Sequence, residues 1–319
     1  MIQVRNLSAY YKTVQGTIKA VEQVTFDIFN NEIVGIAGES GCGKSTLMKA
    51  IYGNFSYPMY IQNGSLSLTV TEEGQELEIP GEEIHQYWWK YISYIPQASM
   101  SVLNPVLRIK DQFLDSFSKT DIRSTGKEKL VAKMAAYLED LELPSDVLNS
   151  FPHQLSGGMR QRVIVALATF THPQFVLADE PTTALDVVVQ RGILSMLVSV
   201  QQKMRNTFIM VSHDMGVHYQ ITNRMMIMYA GRIAEICDTE TIFTQPLHPY
   251  TKLLIDSLPR LGDDSTRTGI SGRPPSLLNP PDGCRFAARC PMVVDKCRTE
   301  VPDLREVNPG HFVACHRVS

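Results

Sequence analysis

Ile33-Val34-Gly35-Ile36-Ala37-Gly38-Glu39-Ser40-Gly41-Cys42-Gly43-Lys44-Ser45-Thr46 is a short apolar run, then a glycine-rich loop, then the first residues of a helix. The glycines let the backbone of Ser40, Gly41, Cys42 and Gly43 curl, so that successive N–H groups point at phosphate oxygens. The helix beginning near Lys44 adds its positive N-terminal end. Lys44 is expected to reach the β- and γ-phosphates of a nucleoside triphosphate. Ser45 is expected to offer its hydroxyl to Mg²⁺, and Thr46 to bond an α-phosphate oxygen. Cys42 reads as a loop-surface position.

Working outward, Phe175-Val176-Leu177-Ala178-Asp179-Glu180 is an apolar strand ending in two carboxylates. Asp179 at its end can hold Mg²⁺, directly or through water, and Glu180 beside it can polarise an attacking water as a general base. Upstream, Leu155-Ser156-Gly157-Gly158-Met159-Arg160-Gln161-Arg162 opens a helix. Ser156, Gly157 and Gly158 there expose backbone N–H groups, a second anion site in the same chain.

Together these motifs resemble the ATPase subunit of ABC transporters. The resemblance implies that two chains sandwich two ATP molecules, the Ser156–Gly158 loop of one covering the γ-phosphate held by the other. It also implies roles for further positions. Tyr11 would stack on adenine, with adjacent Tyr10 as the alternative register. Gln97, after Tyr94-Ile95-Pro96, would sense Mg²⁺ and couple to the membrane subunit. Ala184-Leu185-Asp186 would cross the dimer interface, and His213 would contact the γ-phosphate. EPTTALDVVVQ, SVLNPVLRI, LHPYTKLL from Leu247 and the late cysteines narrow the resemblance to the dipeptide, oligopeptide and nickel importers. That branch implies two transmembrane permease subunits, a second similar ATPase, an external solute-binding protein and a peripheral position on the cytoplasmic face of the membrane. Related importers carry sugars or nickel. Other ABC ATPases serve DNA repair or translation, but with coiled-coil insertions or fused domains that this sequence lacks.

Composition agrees with this class. The chain has 319 residues, 30 Lys plus Arg against 33 Asp plus Glu, and a formal net charge of -3. No polybasic surface marks it as a bulk nucleic-acid binder, and none is expected as a partner. No apolar run reaches the roughly 18 residues a bilayer span needs, and the first residues lack the apolar stretch of a signal peptide.

Alternating strands and helices predict an α/β fold with a largely parallel sheet. The ATPase domain is expected over 1–257, with a helical subdomain over about 98–172. Leu130, Met134, Tyr137, Leu138 and Leu141 predict a helix over 127–141, and Val187–Met204 a longer one. Glu72–Glu83 reads as a polar excursion. A Gly/Pro/Ser/Thr-rich stretch after Leu258 opens a C-terminal extension, 258–319. It carries Cys284, Cys290, Cys297 and Cys315 at spacing C-x5-C-x6-C-x17-C. A reducing compartment disfavours disulfides, and the spacing alone leaves zinc and iron–sulfur ligation open. The importer resemblance implies a structural 4Fe–4S cluster on these four thiolates.

Overall fold

Two long antiparallel strands open the chain, β1 (Ile2–Thr13) and β2 (Gly16–Ile28). The computed structural model describes residues 1–97, 102–183, 185–258 and 269–318. They form two units, Met1–His85 with Val211–Ser319, and Gln86–Met210. In the first unit β3 (Ile33–Ala37) leads through the glycine-rich loop into α1 (Lys44–Ile51), followed by β4 (Met59–Glu72) and β5 (Gln75–Pro80). The second unit holds β6 (Ile92–Ile95), α2 (Ile109–Leu114), α3 (Lys119–Thr125), α4 (Lys127–Asp140), α5 (Gly157–Thr169), β7 (Phe175–Asp179), α6 (Val187–Met204) and β8 (Thr207–Val211). The chain then returns to the first unit with α7 (Met215–Ile221), β9 (Arg224–Tyr229), β10 (Arg232–Asp238), α8 (Thr239–Thr244), α9 (Pro249–Asp256), α10 (Lys296–Thr299), β11 (Arg305–Asn308) and β12 (His311–Val313).

The first unit contains an antiparallel sheet in the order β2-β1-β4-β5, and a second run ordered β11-β12-β10-β9-β3. In that run β3 and β9 are parallel, while β9, β10, β12 and β11 pair antiparallel. The second unit orders its strands β8-β7-β6, with β6 and β7 parallel. All residues of β3, β7 and β8 are buried, which is why these strands read as unbroken apolar runs and not as alternating ones. In the helical part, α4 buries Leu130, Met134 and Leu138, one face at successive turns. Phe170 packs edge-on against Phe113 and Phe117 with centroids 5.5 and 5.7 Å apart. Among the described residues no helix is long and apolar enough to cross a membrane.

The stretch Glu72–Glu83 is not a mere polar excursion. It contains β5, which pairs with β4 in the register Leu68↔Ile79 and Val70↔Leu77. Leu77 and Ile79 alternate with Glu76 and Glu78, but only Ile79 is buried on this edge strand, so the alternation is short and set among acidic residues. Its local signal is Glu73-Gly74, both at positive φ (50° and 81°), the geometry of a two-residue hairpin turn.

The C-terminal segment is likewise not a separate piece held by its cysteines. β12 pairs with β10, and buried His311 Nε2 lies 2.6 Å from Glu235 Oε1, itself fully buried. Phe286 enters the same core as Tyr229 and Tyr250, at 5.1 and 5.4 Å between centroids. Arg285 donates to the Ala230 carbonyl and to Glu22. Residues 259–268, most of the Gly/Ser/Thr-rich stretch, lie outside the described residues.

Two buried histidines make the first unit acid-sensitive. Burial pushes His218 and His248 down to about 4, so both fold neutral. His248 Nδ1 accepts from the Tyr250 N–H at 3.0 Å at the start of α9, a bond that a protonated Nδ1 forfeits. The unfolded chain binds these protons near pH 6.5, so the stability is complete above that pH and falls as pH drops toward 4. Each histidine contributes up to about 3 kcal/mol to the loss. Burial pushes the Glu22 carboxyl up, but Arg285, Arg232 and Tyr10 together pull it down to about 2. Its share is therefore lost only below the ordinary carboxylate range, near pH 4.5. Thermal melting from pH 7.5 to 4.5 should show a falling midpoint, and a flat profile there would refute the histidine account.

Candidate active site

In the first unit the loop between β3 and α1 has the strained backbone its glycines permit. Gly38 sits at φ 148° and a Cβ there would lie 2.1 Å from the Met228 carbonyl oxygen. Gly43 sits at φ 108° with the Ala20 carbonyl 2.2 Å from the same position. Any side chain at either residue is excluded by backbone as well as by φ. The Gly231 N–H donates to the Cys42 carbonyl at 2.8 Å and ties the loop to the β9–β10 turn. Lys44 is almost buried, and its Nζ donates to the Gly38 and Glu39 carbonyls at 2.8 and 3.0 Å. Ser40 and Gly41 are exposed, and nothing lies within 4 Å of the Gly41 Cβ position. A concave backbone with an ammonium at its centre and an open rim fits a polyphosphate.

Cys42 is not at the loop surface. It is 4% exposed, with its Sγ 3.7 Å from Lys44 Nζ and 2.9 Å from the position a Cβ would take on Gly38. Burial raises its thiol pKa above the ordinary range. The inward turn of the loop, which the glycines impose, is what buries it.

Tyr11 is the member of the tyrosine pair that meets this loop, its hydroxyl 3.3 Å from Thr46 Oγ1. Tyr10 instead donates to Glu22 at 3.0 Å and packs edge-on against Tyr60. His213 is exposed between β8 and α7, whose N-cap is the neighbouring Asp214.

The second unit carries the acidic group. Asp179 closes β7 and is 3% exposed, with Oδ2 accepting from the Tyr94 hydroxyl at 3.0 Å. Glu180 follows at φ 51°, a left-handed backbone that costs a non-glycine residue about 1 kcal/mol or more. Its Oε2 accepts from Gln97 Nε2 at 3.2 Å and from Thr183 Oγ1 at 2.8 Å, so the side chain is held at both flanks. Gln97, expected to sense Mg²⁺, and Glu180, expected to act as general base, are therefore in direct contact. Ser156 caps α5 by accepting from the Met159 N–H at 3.3 Å. Gly157 and Gly158 follow as the first residues of that helix. A Cβ on Gly158 would meet Val189 at 2.9 Å, so α6 packs where a side chain would otherwise stand. Gln161 donates to the Pro181 carbonyl at 2.6 Å and ties α5 to the turn after the acidic strand. Leu185 and Asp186 precede α6, whose N-cap is Asp186; Ala184 lies outside the described residues. Tyr94, Thr183 and Tyr250 escaped the sequence reading because each acts through a hydroxyl on a partner that only folding brings near.

The four late cysteines give a different result from the one expected. Among the described residues no group of three or more His, Cys, Asp or Glu side chains is arranged to hold a metal ion. This overturns the 4Fe–4S assignment to Cys284, Cys290, Cys297 and Cys315, and the zinc alternative with it. All four are free thiols. Cys297 and Cys315 are buried. Burial, with the neighbouring thiols, pushes the Cys284 thiol up to about 11. Strand pairing and the arginine contacts order the segment instead.

Comparison with known proteins agrees with the geometry. Residues 21–183 match the family described as ABC transporter, and residues 234–297 match the oligopeptide/dipeptide transporter C-terminal region. The chain is 38% identical to the dipeptide transport ATP-binding protein DppD of Caldanaerobacter subterraneus subsp. tengcongensis, over 99% of this chain and 96% of that one. It is 38% identical to DppD of Bacillus subtilis, covering 99% and 94%. A putative peptide import ATP-binding protein of Brucella ovis is 36% identical, covering 99% and 98%. Among solved structures it is similar to the dimeric post-hydrolysis state of the ATP-binding cassette MJ0796 bound to ADP and Pi, at TM-score 0.60 and 25% identity, over 75% of this chain and 99% of that one. The chain belongs to the ATP-binding proteins of ABC transporters, in the branch that carries the oligopeptide/dipeptide transporter C-terminal region.

Proposed function

We propose that this chain powers import of dipeptides or oligopeptides, as one of two ATPase subunits attached to two transmembrane permease subunits at the cytoplasmic face of the membrane. An external solute-binding protein would deliver the peptide. The chain is an ABC-type ATP hydrolase. The observation that carries the peptide reading is the near-full-length similarity, at 36–38% identity, to proteins named for dipeptide and peptide import. The match of residues 234–297 to the oligopeptide/dipeptide C-terminal region supports it.

The proposed chemistry follows the residues. Tyr11 stacks on the adenine ring. The N–H groups of Ser40, Gly41, Cys42 and Gly43, with Lys44 and Thr46, bind the phosphates. Ser45, Gln97 and Asp179 would hold Mg²⁺, which would neutralise charge on the phosphate oxygens. Glu180 takes a proton from the attacking water, and His213 meets the γ-phosphate. Ser156, Gly157 and Gly158 act on the nucleotide of the partner ATPase. In domain terms, 1–257 form the ATPase, with 98–172 as helical subdomain, and 258–319 the extension.

The test is capture of the full-length chain from detergent-solubilised membranes, with its subunits identified by mass spectrometry and reconstituted in vesicles. Two multi-spanning proteins, a second ATPase and ATP-dependent uptake of a labelled dipeptide are the expected result. A complex that hydrolyses ATP but moves only sugars or nickel would refute the peptide assignment.

A further inference from the structure

We infer that Arg289, in the C-terminal extension, is a positioning residue for the phosphate loop and sets its affinity for ATP. The inference rests on the phosphate-loop reading above and extends it to a residue 250 positions away. Arg289 holds the Glu39 carboxylate with a two-pronged fork, Nη1 to Oε2 at 2.8 Å and Nη2 to Oε1 at 2.9 Å. Its remaining N–H groups are also engaged. Nε donates to the Ser271 carbonyl at 2.8 Å, Nη2 to the Ile270 carbonyl at 3.0 Å, and Nη1 to the Tyr229 hydroxyl at 3.0 Å. A guanidinium has five N–H donors, and these contacts use them all. The Arg289 side chain is 5% exposed. Arg289 is therefore committed to the loop and to its own segment, with no donor left for a phosphate.

Glu39 is where the loop is gripped. Its N–H donates to the Tyr250 hydroxyl on α9 at 2.9 Å, its carbonyl accepts from Lys44 Nζ at 3.0 Å, and its carboxylate sits in the Arg289 fork. The Glu39 carbonyl also accepts from the Cys42 N–H at 3.2 Å, so the N–H, carbonyl and carboxylate of Glu39 are all engaged, by α9, the loop itself and Arg289. Two consequences follow. The fork fixes the carbonyls that aim the Lys44 ammonium. It also neutralises a carboxylate that would otherwise face the triphosphate one residue from the loop's first glycine, a like-charge approach that is costly at a partly buried site. The Glu39 side chain is 25% exposed, so water screens it only in part.

The test is equilibrium titration of the full-length chain with Mg·ATP. Arg289→Ala should weaken ATP about tenfold, because Glu39 is left charged and unpaired. Arg289→Ala combined with Glu39→Gln should recover most of that loss, because the repelling charge is gone. Arg289→Lys keeps the charge but loses the fork, and should fall between. A residue that merely holds the extension in place predicts a double variant as weak as the single, since the Glu39→Gln change restores none of the contacts to Ser271, Ile270 or Tyr229. That outcome, or unchanged affinity in Arg289→Ala, overturns the inference. Should Arg289→Ala fail to fold, Arg289→Lys decides: a loss of about threefold or more supports the fork, and a smaller one overturns it. Lys44→Ala run in parallel separates the two levels. If it binds ATP normally, the phosphate-loop reading itself fails; if it is defective while Arg289→Ala is not, only the role of Arg289 falls.

Discussion

Lys44→Ala is expected to lose ATP affinity by more than about a hundredfold, because two or more charge-assisted hydrogen bonds to phosphate, each about 1.5–3 kcal/mol, disappear together. The geometry supports a loss on this scale. The ammonium is almost buried in the loop, held by the Gly38 and Glu39 carbonyls at 2.8 and 3.0 Å. A cation in so little water acts on a phosphate with less screening than one at a surface. Those same carbonyls lose a donor in the variant, so part of the effect is on the loop itself. Calorimetric titration with Mg·ATP measures the affinity, and thermal melting of the unliganded chain measures the loop's share. An affinity within about threefold of the unaltered chain would remove Lys44 from the phosphate site.

Glu180→Gln should separate binding from turnover. A positioned general base contributes roughly 10²–10⁴-fold to a rate, so phosphate release should fall by about a thousandfold while ATP affinity stays close to normal. The substitution is nearly isosteric, and a Gln amide oxygen still accepts from Thr183 Oγ1, 2.8 Å from the carboxylate in the unaltered chain. The strained φ of 51° is set by the turn after β7 and persists in the variant. What is lost is the capacity to take a proton. Single-turnover phosphate release, beside equilibrium binding, reads the two effects apart. Normal release would sink the general-base role; loss of binding together with release would show a structural effect instead.

The sequence alone determined the phosphate loop, the acidic strand and the Ser156–Gly158 turn, for a physical reason they share. Each is a local device, in which glycines or a cap organise backbone N–H groups, or a strand end presents two carboxylates, over a short stretch of chain, so spacing carries the geometry. The strands β3 and β7 were legible as short unbroken apolar runs, because both of their faces are buried, and the helices α4 and α6 by the period that one buried face writes into the chain. Tertiary structure decided the rest. The edge strand β5 has almost no buried face, so its period is only the Leu77–Ile79 pair beside the Glu73-Gly74 turn, too short to stand out from the acidic stretch around it. Cys42 looks exposed in a glycine loop and is buried because the loop folds inward on the β9–β10 turn. The four late cysteines suggest a metal by count, yet ligation depends on directions in space that spacing does not encode, and the chain orders this segment through β12, His311 and two arginines. The Arg289–Glu39 fork joins residues 250 apart and the Tyr250–Glu39 bond residues 211 apart. Neither leaves a local trace, because a hydrogen bond between distant residues is specified by the packing that brings them together and by nothing in the chain on either side.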